Sequence, residues 1–134
     1  MPIRRSETLP IVGEIDIVRI RQQVRAWSIA CGFSLVEQTK MVTAASELAR
    51  NALEHGKGGE ALLEELDDGT RRGVRVTFID HGPGIPDIEQ AMRDGFTTAG
   101  GMGHGLGGSK RLVEDFSIAS EPGAGTRITI GRWR

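Results

Sequence analysis

Between residues 35 and 55 the apolar positions keep a helical rhythm that sorts the chain into two faces. At about 100° per residue, Met41, Val42, Ala45, Leu48, Ala49, Ala52 and Leu53 fall on one side, and Lys40, Thr43, Glu47, Asn51 and Glu54 on the other. Ser34-Leu35-Val36-Glu37 has the capping-box pattern, in which the Ser and Glu side chains satisfy free backbone N–H groups. The helix is expected to run to Gly56 as a left-handed C-cap, and its four alanines permit close approach to a sheet. Asp16, Ile17, Ile20, Val24, Trp27 and Ile29 predict an earlier helix, which Gly32 stops.

Strand signals flank these helices. Thr8 to Gly13 reads as a short strand, with Pro10 marking a sheet edge. Glu60 to Leu66 and Gly73 to Asp80, the latter alternating through Val74, Val76 and Phe78, predict a hairpin around Asp67-Asp68-Gly69-Thr70. Phe116 to Ser120 and Thr126 to Trp133 predict a second, turning at Pro122-Gly123-Ala124-Gly125. Residues 81–108 have little periodicity apart from a short helix expected after Pro86-Asp87, and Ser109 to Asp115 reads as helical. This order predicts an α+β fold: a two-layer α/β sandwich whose mixed, mostly antiparallel sheet carries its helices on one face.

With 134 residues the chain is expected to be one domain, 1–134, with a core that needs no disulfide or structural metal. Seventeen Lys and Arg against eighteen Asp and Glu leave a net charge of −1, without the basic excess of a nucleic-acid binder. No run of apolar residues is long enough to cross a membrane. A cytoplasmic location with neither nucleic acid nor membrane as partner is therefore expected. Cys31 has no second cysteine to pair with and reads as a buried structural thiol. His55, His81 and His104 lack zinc-site spacing.

Candidate chemistry lies in three places. Seven of the nineteen glycines fall between Gly95 and Gly108, just before a predicted helix. Such a run can turn backbone N–H groups toward a phosphate, and reads equally as a flexible linker. Asp80-His81-Gly82-Pro83-Gly84 puts a carboxylate at a strand end, able to accept from an exocyclic amine, where the chain can pass close to a flat ring; by itself it is also a common turn. Glu47 and Asn51 are one helical turn apart. An Asn oxygen suits Mg²⁺ and a carboxylate suits proton abstraction, although a polar face needs no such explanation.

Glu47-x-x-x-Asn51, Asp80-x-Gly82-x-Gly84, the run from Gly101 to Gly107 and Gly125-Thr126, in that order, resemble the nucleotide-binding pattern of the GHKL ATPase/kinase superfamily. Its fold is the Bergerat ATP-binding fold. Within it, Glu47 to Asn51, Asp80 to Ile88, Asp94 to Gly101 and Gly105 to Leu112 are similar to the RsbT-type serine/threonine switch kinases of the bacterial stressosome. The resemblance implies ATP and Mg²⁺ as cofactors. Asn51 would hold Mg²⁺, Glu47 would be the general base, and Asp80 would accept from the adenine amine with Thr126 beside it. Gly82 and Gly84 would flank the ring. Gly101, Gly103, Gly105, Leu106 and Gly107 would form the lid, with Lys110 as a phosphate contact. Arg50 would meet phosphate or a partner, or else pair with Glu54 or Glu47.

The function so implied is phosphorylation of a STAS-domain antagonist or stressosome scaffold, which frees the kinase to activate a regulatory phosphatase. Three alternatives stand beside it: an anti-sigma factor kinase that sequesters a sigma factor, a detached histidine-kinase catalytic domain, and an ATP-binding module without transfer. Neither the partner nor the oligomeric state follows from these residues.

Overall fold

Five strands and three helices make up the described part of the computed structural model, residues 3–85, 92 and 106–134. They are β1 (Ile3–Ile11), α1 (Glu14–Cys31), α2 (Leu35–Glu54), β2 (Gly59–Asp67), β3 (Arg72–Asp80), α3 (Leu106–Arg111), β4 (Asp115–Glu121) and β5 (Gly125–Trp133). The sheet order is β1-β2-β3-β5-β4. All four pairings are antiparallel, so among the described residues the sheet is purely antiparallel rather than mixed.

Helix α1 starts where the Asp16 carboxylate accepts from the Val12 and Gly13 N–H groups, at 2.8 and 3.1 Å. It stops at Gly32, whose φ of 89° is open to glycine. The capping box of α2 forms as expected, with Glu37 N–H donating to Ser34 Oγ at 3.2 Å and Ser34 N–H donating to Glu37 Oε1 at 2.8 Å. Its other end differs. Helix α2 closes at Glu54 with His55 as a right-handed cap, and the left-handed residues are Lys57 and Gly58. Gly56 is therefore no left-handed cap; it is glycine for reasons of clearance, given below.

Two boundaries also move. Strand β1 begins at Ile3, five residues before the expected start, because the polar Arg4 to Glu7 carries no alternation yet, past a bulge at Arg4, pairs along β2. Pro10 does lie on an edge strand. Helix α3 begins at Leu106 rather than Ser109, anchored by the fully buried Leu106 side chain. The short helix expected after Pro86-Asp87 lies outside the described residues.

Met41, Ala45, Leu48 and Ala49 of α2 and Ile17, Ile20 and Val24 of α1 pack on Leu63, Val74, Val76 and Ile130 of the sheet, all nearly solvent-free. Cys31 is buried with them, and burial pushes its thiol up. Among the described residues no helix covers the other face, which carries polar rows. There Arg75 donates to Glu64 at 2.8 Å, and the Thr77 and Thr129 hydroxyls meet at 3.2 Å.

Candidate nucleotide site

Register brings one row of polar side chains to the end of the sheet. Asp80 pairs with Thr126 across β3 and β5, and Thr126 pairs with Ser120 across β5 and β4. Two residues back, Phe78 pairs with Ile128 and Ile128 with Ile118. Since strand side chains alternate, Asp80, Thr126 and Ser120 share the helix-covered face with that apolar row. The last turns of α2 lie over them. Leu48, Asn51, Ala52, His55 and Gly56 form one wall of a cleft, and Phe78, Asp80, Thr126 and Ile128 form the floor. Gly84, Ile85 and Leu106 complete it.

The acidic corner is built by close approach. Asp80 Oδ1 accepts from Gly82 N–H at 3.0 Å. A Cβ on Gly56 would lie 2.3 Å from Asp80 Cγ, and one on Gly82 would lie 2.7 Å from the Gly56 Cα. Gly84, at φ 81°, passes so near Glu121 that a Cβ would come within 2.3 Å of its carbonyl oxygen. Such a backbone can approach a flat ligand only because it carries no side chains there.

Ser120 ties this loop to the sheet. Its Oγ accepts from Ile85 N–H at 2.7 Å, donates to the Gly125 carbonyl at 3.1 Å and lies 2.9 Å from Thr126 Oγ1. Gly123 N–H donates to the Pro83 carbonyl at 2.8 Å, holding the same loop from the β4–β5 turn.

Of the residues expected at a site, Asn51, Asp80, Gly84, Leu106 and Thr126 line this one cleft. Gly82 is buried behind Asp80, and Gly107 is buried within α3. Lys110 is exposed on α3 and is not among the residues lining the cleft. Glu47 is exposed one turn before Asn51, in an adjoining depression with Arg21, Val42, Thr43 and Ser46. Gly101, Gly103 and Gly105 lie outside the described residues. Arg50 grips Glu14 with two hydrogen bonds of 2.9 and 3.1 Å and reaches Glu54 at 3.4 Å. The Glu54 pair is one of the alternatives the sequence leaves open for Arg50; the stronger one, which ties α1 to α2, is not.

Sequence reasoning missed Gly56, Ile85 and Ser120. Gly56 carried a signal, a glycine just past a helix, but its partner Asp80 is twenty-four positions on. Ser120 carried none, because a serine on an alternating strand is ordinary.

The donor set can be weighed against the implied groups. Among the described residues no cluster of three His, Cys, Asp or Glu could cage a metal. Mg²⁺ can instead keep waters and phosphates and take a single protein oxygen, for which Asn51 on the cleft wall is suited. Asp80, an acceptor above a floor of Phe78 and Ile128, suits a flat base with an amine edge.

An apolar cleft between the last turns of a helix and an antiparallel sheet, with Asn51 on its wall and Asp80 in its floor, defines a nucleotide-binding domain of the α/β-sandwich type. Residues 36–134 match the family of histidine kinase-, DNA gyrase B- and HSP90-like ATPases. The chain is 44% identical over 123 residues to the serine/threonine-protein kinase RsbT of Bacillus subtilis, covering 92% of each chain. It is 35% identical over 104 residues to an anti-sigma F factor of Bacillus licheniformis, covering 70% of this chain and 68% of that one. A crystal structure of the RsbU and RsbW domains of a Mycobacterium tuberculosis protein superposes on the whole chain with a TM-score of 0.65 at 25% identity, this chain spanning 33% of that one. The histidine kinase domain of a blue-light-activated kinase from Erythrobacter litoralis shares the fold, with a TM-score of 0.54 over 92% of this chain and 60% of that one, at 18% identity. The chain belongs to the histidine kinase-, DNA gyrase B- and HSP90-like ATPase family, and within it to the serine/threonine-protein kinases of the RsbT kind, with anti-sigma factors as relatives. ATP is accordingly its nucleotide. Among the described residues no helix is long and apolar enough to cross a membrane.

Proposed function

We propose that this kinase transfers the γ-phosphate of ATP to a serine or threonine of a STAS-domain antagonist or scaffold, and then engages a regulatory phosphatase in the cytoplasm. The observation that carries the transfer step is the placement of Glu47. It stands one helical turn from Asn51 and outside the cleft, where an incoming hydroxyl can reach it. Asp80 and Thr126 orient the base at the far end, and Asn51 would hold Mg²⁺ against the phosphates. When bound, Mg²⁺ supplies neutralisation of the phosphate charge. Glu47 accepts the proton of the acceptor hydroxyl, and most of the remaining catalysis is positioning.

A protein substrate also has a surface to approach. The depression holding Glu47 shares Arg21 and Val42 with an open groove on α1 and α2 lined by Val18, Arg25 and Ile29. Ile29 is 57% exposed and Val18 41%. Exposed apolar residues beside arginines fit an amphipathic protein surface better than a small molecule.

Incubation with labelled ATP, Mg²⁺ and candidate STAS proteins, followed by acid treatment, tests the reading. Acid-stable label on the STAS protein is expected. Acid-labile label would indicate phosphohistidine and overturn it, as would bound ATP with no label on any partner. The likeness to anti-sigma F factors supports a second reading, direct sequestration of a sigma factor. Co-elution of the chain with a sigma factor in the presence of ATP would favour it.

A further inference from the structure

Ser120 has one proton and two lone pairs, and the structure gives it three partners. Ile85 N–H, at 2.7 Å, can only donate, so it takes one lone pair. The Gly125 carbonyl, at 3.1 Å, can only accept, so it takes the proton. With the Ser120 proton so placed, Thr126 Oγ1, at 2.9 Å, donates its own to the second lone pair. Thr126 is left with lone pairs alone toward the cleft that it lines.

Asp80, its neighbour across β3 and β5, is likewise an acceptor. Its Oδ1 is engaged by Gly82 N–H, leaving lone pairs to offer a ligand. That end of the cleft floor is therefore acceptor-only. Adenine presents an exocyclic amine, a donor, whereas guanine and hypoxanthine present a carbonyl oxygen at the same position.

We propose that Ser120 is a positioning residue for base selection: by holding the Thr126 proton away from the cleft, it makes the site reject a base whose exocyclic group is an acceptor. The inference rests on the reading of the cleft as an ATP site and extends it to a residue outside the motifs. Without the Ser120 hydroxyl, Thr126 is free to rotate and donate into the cleft, so a carbonyl-bearing base finds a partner. Ser120 also fixes the height of Ile85, but that task alone would affect every base equally.

Calorimetric titration of the full chain with ATP and with ITP, which carries a carbonyl in place of the amine, separates these roles. The unaltered chain is expected to prefer ATP. Ser120→Ala is expected to shrink that preference about tenfold, the size of one hydrogen bond to a buried group gained by the wrong base. Ser120→Thr, which keeps a hydroxyl, should retain it. Thr126→Val removes the hydroxyl that Ser120 orients, so adding Ser120→Ala to it should change the preference no further. Equal losses of ATP and ITP affinity in Ser120→Ala would overturn the inference and leave the ATP site standing. A chain that binds neither nucleotide would overturn both.

Discussion

The Cα of Gly56 stands against the Asp80 carboxyl group, so close that a single added carbon would lie 2.3 Å from Asp80 Cγ. Gly82 packs on the Gly56 backbone with the same lack of room and donates its N–H to Asp80 Oδ1. Gly56 thus leaves the carboxyl group no room on its own side, while Gly82 holds Oδ1 by a hydrogen bond. Gly56→Ala should push Asp80 out of line, weakening ATP binding at least tenfold and lowering stability by about 1–3 kcal/mol, as overpacking does. Gly108→Ala, where nothing lies within 4 Å of the new carbon, should leave the melting temperature unchanged or raise it. A thermal melt and a binding isotherm for each variant check this pair.

Substitutions at Asn51 and Glu47 are expected to separate binding from chemistry. Asn51→Ala should abolish Mg²⁺-dependent ATP binding, because no other oxygen of α2 lines the cleft as it does. Glu47→Gln should bind ATP as the unaltered chain does and lose at least a hundredfold in transfer, the usual scale for a positioned base. Normal transfer by Glu47→Gln would show that its assigned role is wrong.

Four carboxyl groups predict the acid limit of the fold. The Val12 and Gly13 N–H groups hold Asp16 below its ordinary value of 3.8, and Ser34 N–H holds Glu37 below 4.5. Hydrogen bonds from the Arg71 and Thr70 N–H groups do the same for Asp68, as does Arg50 for Glu14. A depressed folded-state value means that ionisation favours folding. That contribution is complete above the unfolded-state values and is lost as pH falls through the lower folded-state ones. The melting temperature should therefore be level between about pH 7 and pH 5 and fall below about pH 4. Asp16→Asn keeps an acceptor oxygen but no charge, and should make that fall shallower.

Arg50 is held by Glu14 and Glu54, which accounts for its guanidinium without any phosphate. Arg50→Ala should leave the ATP dissociation constant within about twofold, and 0.5 M salt should erase any stability difference, as for an exposed pair. A tenfold loss of ATP affinity would return Arg50 to the phosphate site.

Much of this was legible along the chain because it is local. The capping box of Ser34 and Glu37, the stop at Gly32 and both hairpins are set by neighbours within a few positions. Asp80 and Thr126 stand at or next to strand ends and Asn51 lies in the last turn of α2, and their spacing is that of a known family. What escaped depends on register between distant strands. Ser120 matters because β4 aligns it with Thr126 and the Asp80–Ile85 loop crosses above it, and no local pattern announces either. Gly56 was misread because a glycine after a helix usually relieves a turn, whereas here it makes room for a side chain from β3.

The strand that carries Ser120 is one of the sheet's two edge strands, seven residues long and, among the described residues, paired on one side only. The loop from Asp80 to Ile85 thus leaves the central strand β3 but is fastened at its far end to the rim of the fold. Rims of sheets open first in local unfolding. Amide protons of Ile85 and of β4 should consequently exchange with solvent faster than those of β3, and slow when nucleotide fills the cleft. The edge of the sheet then serves as a gauge of occupancy, readable by hydrogen exchange far from the phosphates.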